Sequence, residues 1–372
     1  MEFILTIIGL IVIIFYCSLI LAFTRGWNKC TATPVCNRQD LPNLTCIIAL
    51  RNEENNVNKL FINLNQLDYP QNKIEFILID DHSTDNTYNE IQNLKKDFNY
   101  NLSLTSNEGR GKKAAIAKGI SLAKYENIVL TDADCTPHEN WLLSIGSCFF
   151  TEKPDMIVAP VFIKDQSSLL SYFQSVDFIS LITSTAGAIG INRPIMCNGA
   201  NLAYKKEAYL KVKDKLKEEF LSGDDVFLLH AIKGEGGKVT FLKDDKAVVQ
   251  TEPEKNTLSF LNQRVRWASK SKGYTDYFTL ITAWLVFLSN LAVISSVLLI
   301  SVYPAYSKCI LFAWGLKVLV DANIVSKGLR FFKLKNKSMY FLLTFLIYPL
   351  YIGATVVWAA FGHTNWRGRS VK

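Results

Sequence analysis

The chain opens on an apolar run without a charge, Phe3 to Phe23, whose 21 residues are long enough to cross a bilayer as a helix. Two further uncharged runs lie near the other end, Tyr277–Tyr303 and Met339–Phe361; between them Cys309–Val325 is apolar but carries Lys317 and Asp321. From about Leu44 the pattern changes, and short apolar runs alternate with polar segments of helical period. Thr45–Leu50, Glu75–Ile79, Asn101–Thr105 and Ile128–Leu130 read as strands, and Arg51–Glu54 opens a helix to about Leu67. Strands separated by helical patterns predict an α/β fold with a mostly parallel sheet. The expected organisation is an N-terminal transmembrane anchor at 1–24, a linker at 25–43, an α/β domain at 44–275 and a C-terminal membrane region at 276–372.

Composition agrees with a membrane protein: 49% of residues are apolar. A signal peptide is disfavoured, because Glu2 and no Lys or Arg precede the first run and no small-x-small site follows it. Arg25, Lys29 and Arg38 follow that run, so the central domain is expected on the cytoplasmic side of a cell membrane, in a multi-pass protein. The basic loop 327–337 should share that side. The basic tail Trp366-Arg367-Gly368-Arg369 then conflicts with a single last crossing, and Pro349 and Gly353 leave open a re-entrant hairpin instead. The net charge of +8 requires no nucleic acid, because many basic residues flank apolar segments where anionic headgroups attract them.

Candidate chemistry gathers at strand ends. Ligands of parallel sheets bind outside the carboxyl ends of the strands. That rule places Arg51-Asn52-Glu53, Asp80-Asp81 and Asp132-Ala133-Asp134 on one rim. Two carboxylates one residue apart are costly unless a cation joins them, and hard oxygens suit Mg²⁺ or Mn²⁺. Asp80 and Asp81 can accept from a base N–H or ribose hydroxyls, or simply cap a turn, and at Asp85 the cap is the favoured reading. Gly109-Arg110-Gly111-Lys112-Lys113 before a helical run suits phosphate, or is a solvated turn. Cys197–Tyr204 contains Gly199-Ala200-Asn201, a loop for close approach to a sugar or an ordinary turn. Asp224-Asp225 opens an apolar helix as a cap or as a general base. Gln263-Arg264-Val265-Arg266-Trp267 supplies cations for a diphosphate and an indole for a sugar ring, or an interfacial anchor.

Taken in order, Asn52-Glu53-Glu54, Asp80-Asp81, Gly111-Lys112, Asp132-x-Asp134, Gly199-Ala200-Asn201, Asp224-Asp225 and Gln263-x-x-Arg266-Trp267 resemble a membrane-bound family 2 glycosyltransferase of GT-A fold. The resemblance runs from about Leu44 to Lys272, and the Trp366–Arg369 tail is similar to that of many such enzymes. It implies that Asp80 or Asp81 contacts the uridine part while the turn from Arg51 to Glu53 lines the nucleotide pocket, with Lys112 among the donor-binding residues. It implies a metal and UDP diphosphate at Asp132 and Asp134, with Asp134 the more direct ligand. Asp225 takes the place of the base, beside Asp224 where Glu is commoner. Arg266 steadies the leaving diphosphate, Trp267 meets the acceptor, and Gln263 completes their motif. Two positions depart from the pattern: His82 where Gly is frequent and Ala117 where Asn is frequent.

The implied reaction is an inverting transfer from a UDP-sugar to a membrane-associated acceptor. Gln-x-x-Arg-Trp occurs in both processive and single-transfer enzymes. With only about four apolar segments, a lipid or lipid-linked acceptor is the favoured expectation and a processive polysaccharide synthase the alternative. A non-catalytic nucleotide-sugar-binding scaffold fits less well, because all three acidic pairs are kept.

Overall fold

The computed structural model describes residues 2–164, 167–216, 223–334, 338–361, 364–366 and 369–371. Their contacts divide them into two compact units, Cys30–Lys164 with Met196–Glu252, and Met1–Lys29 with Asp165–Ile195 and Pro253–Lys372. The strands are β1 (Leu44–Leu50), β2 (Ile74–Asp80), β3 (Asn101–Ser106), β4 (Asn127–Thr131) and β5 (Thr136–Pro137). They continue as β6 (Met156–Val158), β7 (Val161–Ile163), β8 (Asn201–Lys205), β9 (Val239–Phe241) and β10 (Val249–Thr251). The helices are α1 (Glu2–Lys29), α2 (Glu54–Asn65), α3 (Thr87–Leu94), α4 (Lys112–Leu122), α5 (Trp141–Glu152) and α6 (Leu169–Gly190). They continue as α7 (Lys206–Val212), α8 (Asp224–Gly234), α9 (Thr257–Ser269), α10 (Tyr277–Val302), α11 (Ser307–Phe331) and α12 (Ser338–Phe361).

The first unit is an α/β domain on a seven-stranded sheet, β3-β2-β1-β4-β8-β6-β9. Every strand points the same way except β8, which runs antiparallel to β4 and β6. Central parallel strands are covered on both faces, which is why β1 and β2 are near-continuous apolar runs. Besides Asp80 at its end, β2 carries one polar residue, Glu75, which is buried but accepts the Thr45 hydroxyl and the Lys124 N–H, each at 2.7 Å. Helix α2 follows the helical stripe, burying Val57, Leu60, Phe61 and Leu64, while its remaining positions are polar except the exposed Ile62. A smaller sheet, β5-β10-β7, completes the unit.

The topology puts function on one rim. Parallel β1, β2, β3 and β4 carry the loops after Leu50, Asp80, Ser106 and Thr131 to the same edge. Because β8 is reversed, with Asn201 opposite Thr131, the loop before it, Cys197–Ala200, arrives at that edge too.

The second unit is mostly helical and comprises α1, α6, α9, α10, α11 and α12, with a short antiparallel pair of strands, Thr364–Trp366 and Arg369–Val371. Among the described residues, four helices are long and apolar enough to cross a membrane: Thr6–Lys29, Tyr277–Val302, Pro304–Phe331 and Leu342–Ala360. Helix α12 runs on through Pro349 and Gly353 without a break. Helices α6 and α9, inside the stretch 44–275 expected as one domain, pack with the apolar helices. The α1–α6 crossing brings backbones together: a Cβ on Gly26 would collide with the Gly187 carbonyl, and one on Gly190 with the Gly26 carbonyl. In α11, Lys317 and Asp321 form an i,i+4 ion pair of 2.7 Å, and the Tyr16 hydroxyl of α1 donates to Asp321 at 2.7 Å. That satisfies two charges in an otherwise apolar helix. Arg367 and Gly368 of the tail motif and 335–337 of the basic loop lie outside the described residues.

Candidate active site

At one end of the rim two loops are stitched together. The turn after β1 places Asn52 at φ 53°, where its N–H donates to the Ser83 hydroxyl at 3.0 Å and its side-chain oxygen accepts from the Thr84 N–H at 2.8 Å. The buried Glu53 donates its N–H to the Thr87 hydroxyl at 2.7 Å and accepts from Asn56 at 2.7 Å. Asp85 accepts from the Thr87 N–H and hydroxyl, at 3.1 and 2.6 Å, the cap that its spacing predicts. Arg51 donates to the Asp81 carbonyl at 3.0 Å and lies 3.7 Å from the Asp81 carboxylate. His82 sits at φ 58°, which is why glycine suits this position. Its Nε2 lies 2.8 Å from the Gly109 carbonyl oxygen.

Asp80 and Asp81 separate into two roles. Asp81 is buried and its Oδ1 accepts from Asn107 and from the Gly111 N–H, both at 2.8 Å, so it holds the glycine-rich loop in place. Asn107, the first residue after β3, is a rim residue that no motif singles out; its position at a strand's carboxyl end is the signal that finds it. Asp80 accepts from the Ser83 N–H at 3.2 Å through Oδ2, while Oδ1 is buried without a hydrogen-bond partner. A buried acceptor left open is costly and fits a ligand donor.

The glycine-rich loop delivers Lys112. Gly111 at φ 92° turns the chain into α4, a conformation that side chains other than glycine rarely adopt. Lys112 then ion-pairs with Asp132. Burial by itself would lower the ammonium pKa, but the carboxylates of Asp132, Asp224 and Asp225 overcome this and raise it, so the group is a fixed cation. Asp132, Asp134 and Cys135 place one ligand atom each within 4.8 Å of one another. Burial, then the two neighbouring carboxylates, push the Cys135 thiol well up, so it stays protonated at neutral pH. Asp132 and Asp134 supply two hard carboxylates, which fit Mg²⁺ or Mn²⁺.

Opposite this group, Asp225 lies in the first turn of α8. Its Oδ2 accepts the Gly199 N–H at 3.1 Å and its Oδ1 the Val226 N–H at 2.9 Å. A Cβ built on Gly199 would lie 3.6 Å from both Lys112 Nζ and the Asp225 Cβ. Gly199 thus marks the point where the cation and Asp225 converge. Asp224 and Asp225 also line a cleft with Lys113, Ile116, Leu130 and Leu228. Asn201 does not face this cleft as a sugar contact. It is fully buried, accepts the Trp141 Nε1–H at 2.9 Å and donates to the Pro160 and Ala247 carbonyls at 2.8 Å each.

Gln263, Arg266 and Trp267 belong to α9 in the helical unit. Gln263 donates to Glu254 at 2.9 Å, and Arg266 is half-buried. Trp267 packs against the guanidinium of Arg264, 4.2 Å from the ring centroid, and against Phe178 at 5.9 Å. Arg264 reads as a spacer in the motif, yet it is buried and ion-paired to Asp177 at 2.8 Å. A lone acid inside the apolar run of α6 is the signal that would have found Asp177.

A parallel sheet with an acidic pair at the carboxyl end of a central strand, a lysine on it and a second acidic pair facing it define a GT-A domain. Residues 45–211 match the family model for Glycosyl transferase family 2, and the chain carries a family 2 glycosyltransferase domain. Poly-beta-1,6-N-acetyl-D-glucosamine synthase of Staphylococcus aureus (strain MSSA476) is 27% identical over 186 residues, 48% of this chain and 43% of that protein. The synthase of the same name from Staphylococcus epidermidis is 28% identical over 177 residues, 46% of this chain and 41% of that one. The match thus spans less than half the length of these relatives. The fold as a whole is similar to the mannosyltransferase PcManGT from Pyrobaculum calidifontis, solved with GDP-Man and Mn²⁺. That likeness has a TM-score of 0.64 at 18% identity, over 96% of this chain and 99% of that one.

Proposed function

We propose that the protein is an inverting, metal-dependent glycosyltransferase that moves N-acetylglucosamine from a UDP donor onto a growing polysaccharide at the cytoplasmic face of a cell membrane. The observation that carries the chemistry is the gathering of Asp132, Lys112 and Asp225 around Gly199 at the sheet's carboxyl rim. The names of the staphylococcal relatives support the sugar and the polymer, and so favour processive synthesis over the single transfer expected from the number of spans. Transfer onto a lipid or lipid-linked acceptor is the second reading, supported by the four candidate spans among the described residues, few for a polymer path.

In this reading the open Oδ1 of Asp80 accepts the base N–H, and Asp81 keeps the Gly111 turn in place. Asp132 and Asp134 hold Mg²⁺ or Mn²⁺, which when bound neutralises the diphosphate and makes UDP a better leaving group. Lys112 contributes a second positive charge to the diphosphate side. Asp225 takes the proton of the acceptor hydroxyl as that oxygen bonds to the anomeric carbon and the bond to UDP breaks. We assign Arg266 to the leaving diphosphate and Trp267 to the acceptor sugar.

The test is UDP and GDP release by the full chain in detergent with Mn²⁺, across a panel of UDP- and GDP-sugars, with product length read on a gel. UDP release from UDP-N-acetylglucosamine with long products supports the proposal. A single-sugar product selects the second reading, and GDP release alone overturns the donor.

A further inference from the structure

We propose that Asp177 and Arg264 form a buried ion pair whose task is to position the Gln263–Trp267 segment of α9 for sugar transfer. The inference rests on the glycosyltransferase reading above, and it makes Asp177 and Arg264 positioning residues. Both are almost fully buried, at 2% and 4% exposure. Arg264 Nε donates to Asp177 Oδ2 at 2.8 Å, and Nη2 lies 2.8 Å from the same oxygen. The Tyr351 hydroxyl donates to that oxygen at 3.4 Å.

The guanidinium touches the motif on both sides of itself. Nη1 donates to Gln263 Oε1 at 2.6 Å, and Cζ lies 4.2 Å from the Trp267 ring centroid and 4.7 Å from that of Phe260. Gln263 is held at its other end by Glu254, whose N–H donates to Gln174 Oε1 at 2.8 Å and whose carbonyl accepts from Gln174 Nε2 at 2.9 Å. Gln174 and Asp177 are three apart on α6 and so share a face. Helix α6 is therefore a two-point template: Gln174 sets residue 254 and Asp177 sets Arg264, and between them the rotamers of Gln263 and Trp267 are determined.

Stability alone does not account for such a pair. Desolvating two charges costs about what their attraction returns, and uncharged groups of the same shape are commonly as stable. A planar fork locked to one carboxylate supplies direction, which an apolar contact does not.

The experiment compares full-length wild type with Asp177→Asn, Arg264→Lys and the double variant Asp177→Asn/Arg264→Gln. Thermal stability, UDP affinity in Mn²⁺, and kcat and KM for UDP-N-acetylglucosamine are measured. Asp177→Asn leaves a buried cation unpaired and is expected to unfold at lower temperature; the double variant removes both charges and restores stability. The expected result is a stable double variant with unchanged UDP affinity and donor KM, but kcat lower by about tenfold to hundredfold, as for a misplaced catalytic group. Arg264→Lys should fall between. A double variant that regains wild-type kcat together with its stability overturns the positioning role. A wild type that releases no UDP from any sugar overturns instead the reading on which the proposal rests.

Discussion

Replacing Asp225 by Asn tests the assignment of the base while disturbing little else. The carboxylate accepts two backbone N–H groups, Gly199 through Oδ2 and Val226 through Oδ1. An Asn side chain has one acceptor oxygen, so one of these N–H groups meets an amide N–H instead. Losing that acceptance costs about 1–3 kcal/mol of stability at most, where the N–H is shut away from water. Lys112 stays charged, because its ion pair is with Asp132. Rate should suffer far more than fold. Removing a general base costs about 10²- to 10⁴-fold, or about 3–5 kcal/mol at roughly 1.4 kcal/mol per decade. UDP release with saturating donor and Mn²⁺ gives kcat, UDP titration gives the affinity, and a thermal scan separates the small loss of stability from both. The reasoning is refuted by turnover within about twofold of wild type, far less than the loss a general base commands. It is equally refuted by a loss of UDP affinity that accounts for the whole loss of rate.

Asp134→Ala should abolish the Mn²⁺ dependence of donor binding, since it removes one of the two hard carboxylates; titration of UDP with and without metal checks this, and an unchanged dependence counts against the clamp. Asn201→Ala should destabilise the α/β unit by about 3 kcal/mol or more, because Trp141 Nε1–H and two carbonyls lose their buried partner. An unchanged melting temperature would show that water replaces the side chain. Asp155 supplies a pH test. Burial pushes its carboxyl up, but the Lys238 N–H and the Lys205 ammonium outweigh this and hold it below the usual range. A depressed pKa gives stability that is present above the unfolded value of about 3.9 and is lost as pH falls through the folded one. Asp155→Asn should therefore lower the melting temperature at pH 7 and match wild type near the acid end of the scan.

Much of the site is legible along the chain because its cause is local. β1 and β2 announce themselves as apolar runs, since a strand covered on both faces has no polar side, and parallel strands necessarily deliver their carboxyl ends to one rim. Arg51–Glu53, Asp80-Asp81 and Asp132–Asp134 could be placed together on that ground alone. The candidate spans are equally local, because crossing a bilayer needs only length and apolarity. Departures from a motif are a different matter: His82 looks anomalous until its φ of 58° shows which backbone it must adopt.

Only the tertiary structure separates Asp81, which holds a loop, from Asp80, which keeps an oxygen open. It likewise turns Asn201 from a sugar-loop residue into a buried three-way link, and Arg264 from a spacer into the partner of Asp177, 87 residues away. Periodicity reports which face of its own element a residue occupies, within a dozen neighbours. Which remote group meets a side chain on that face depends on how separate elements pack, and a buried polar group takes its role from that partner.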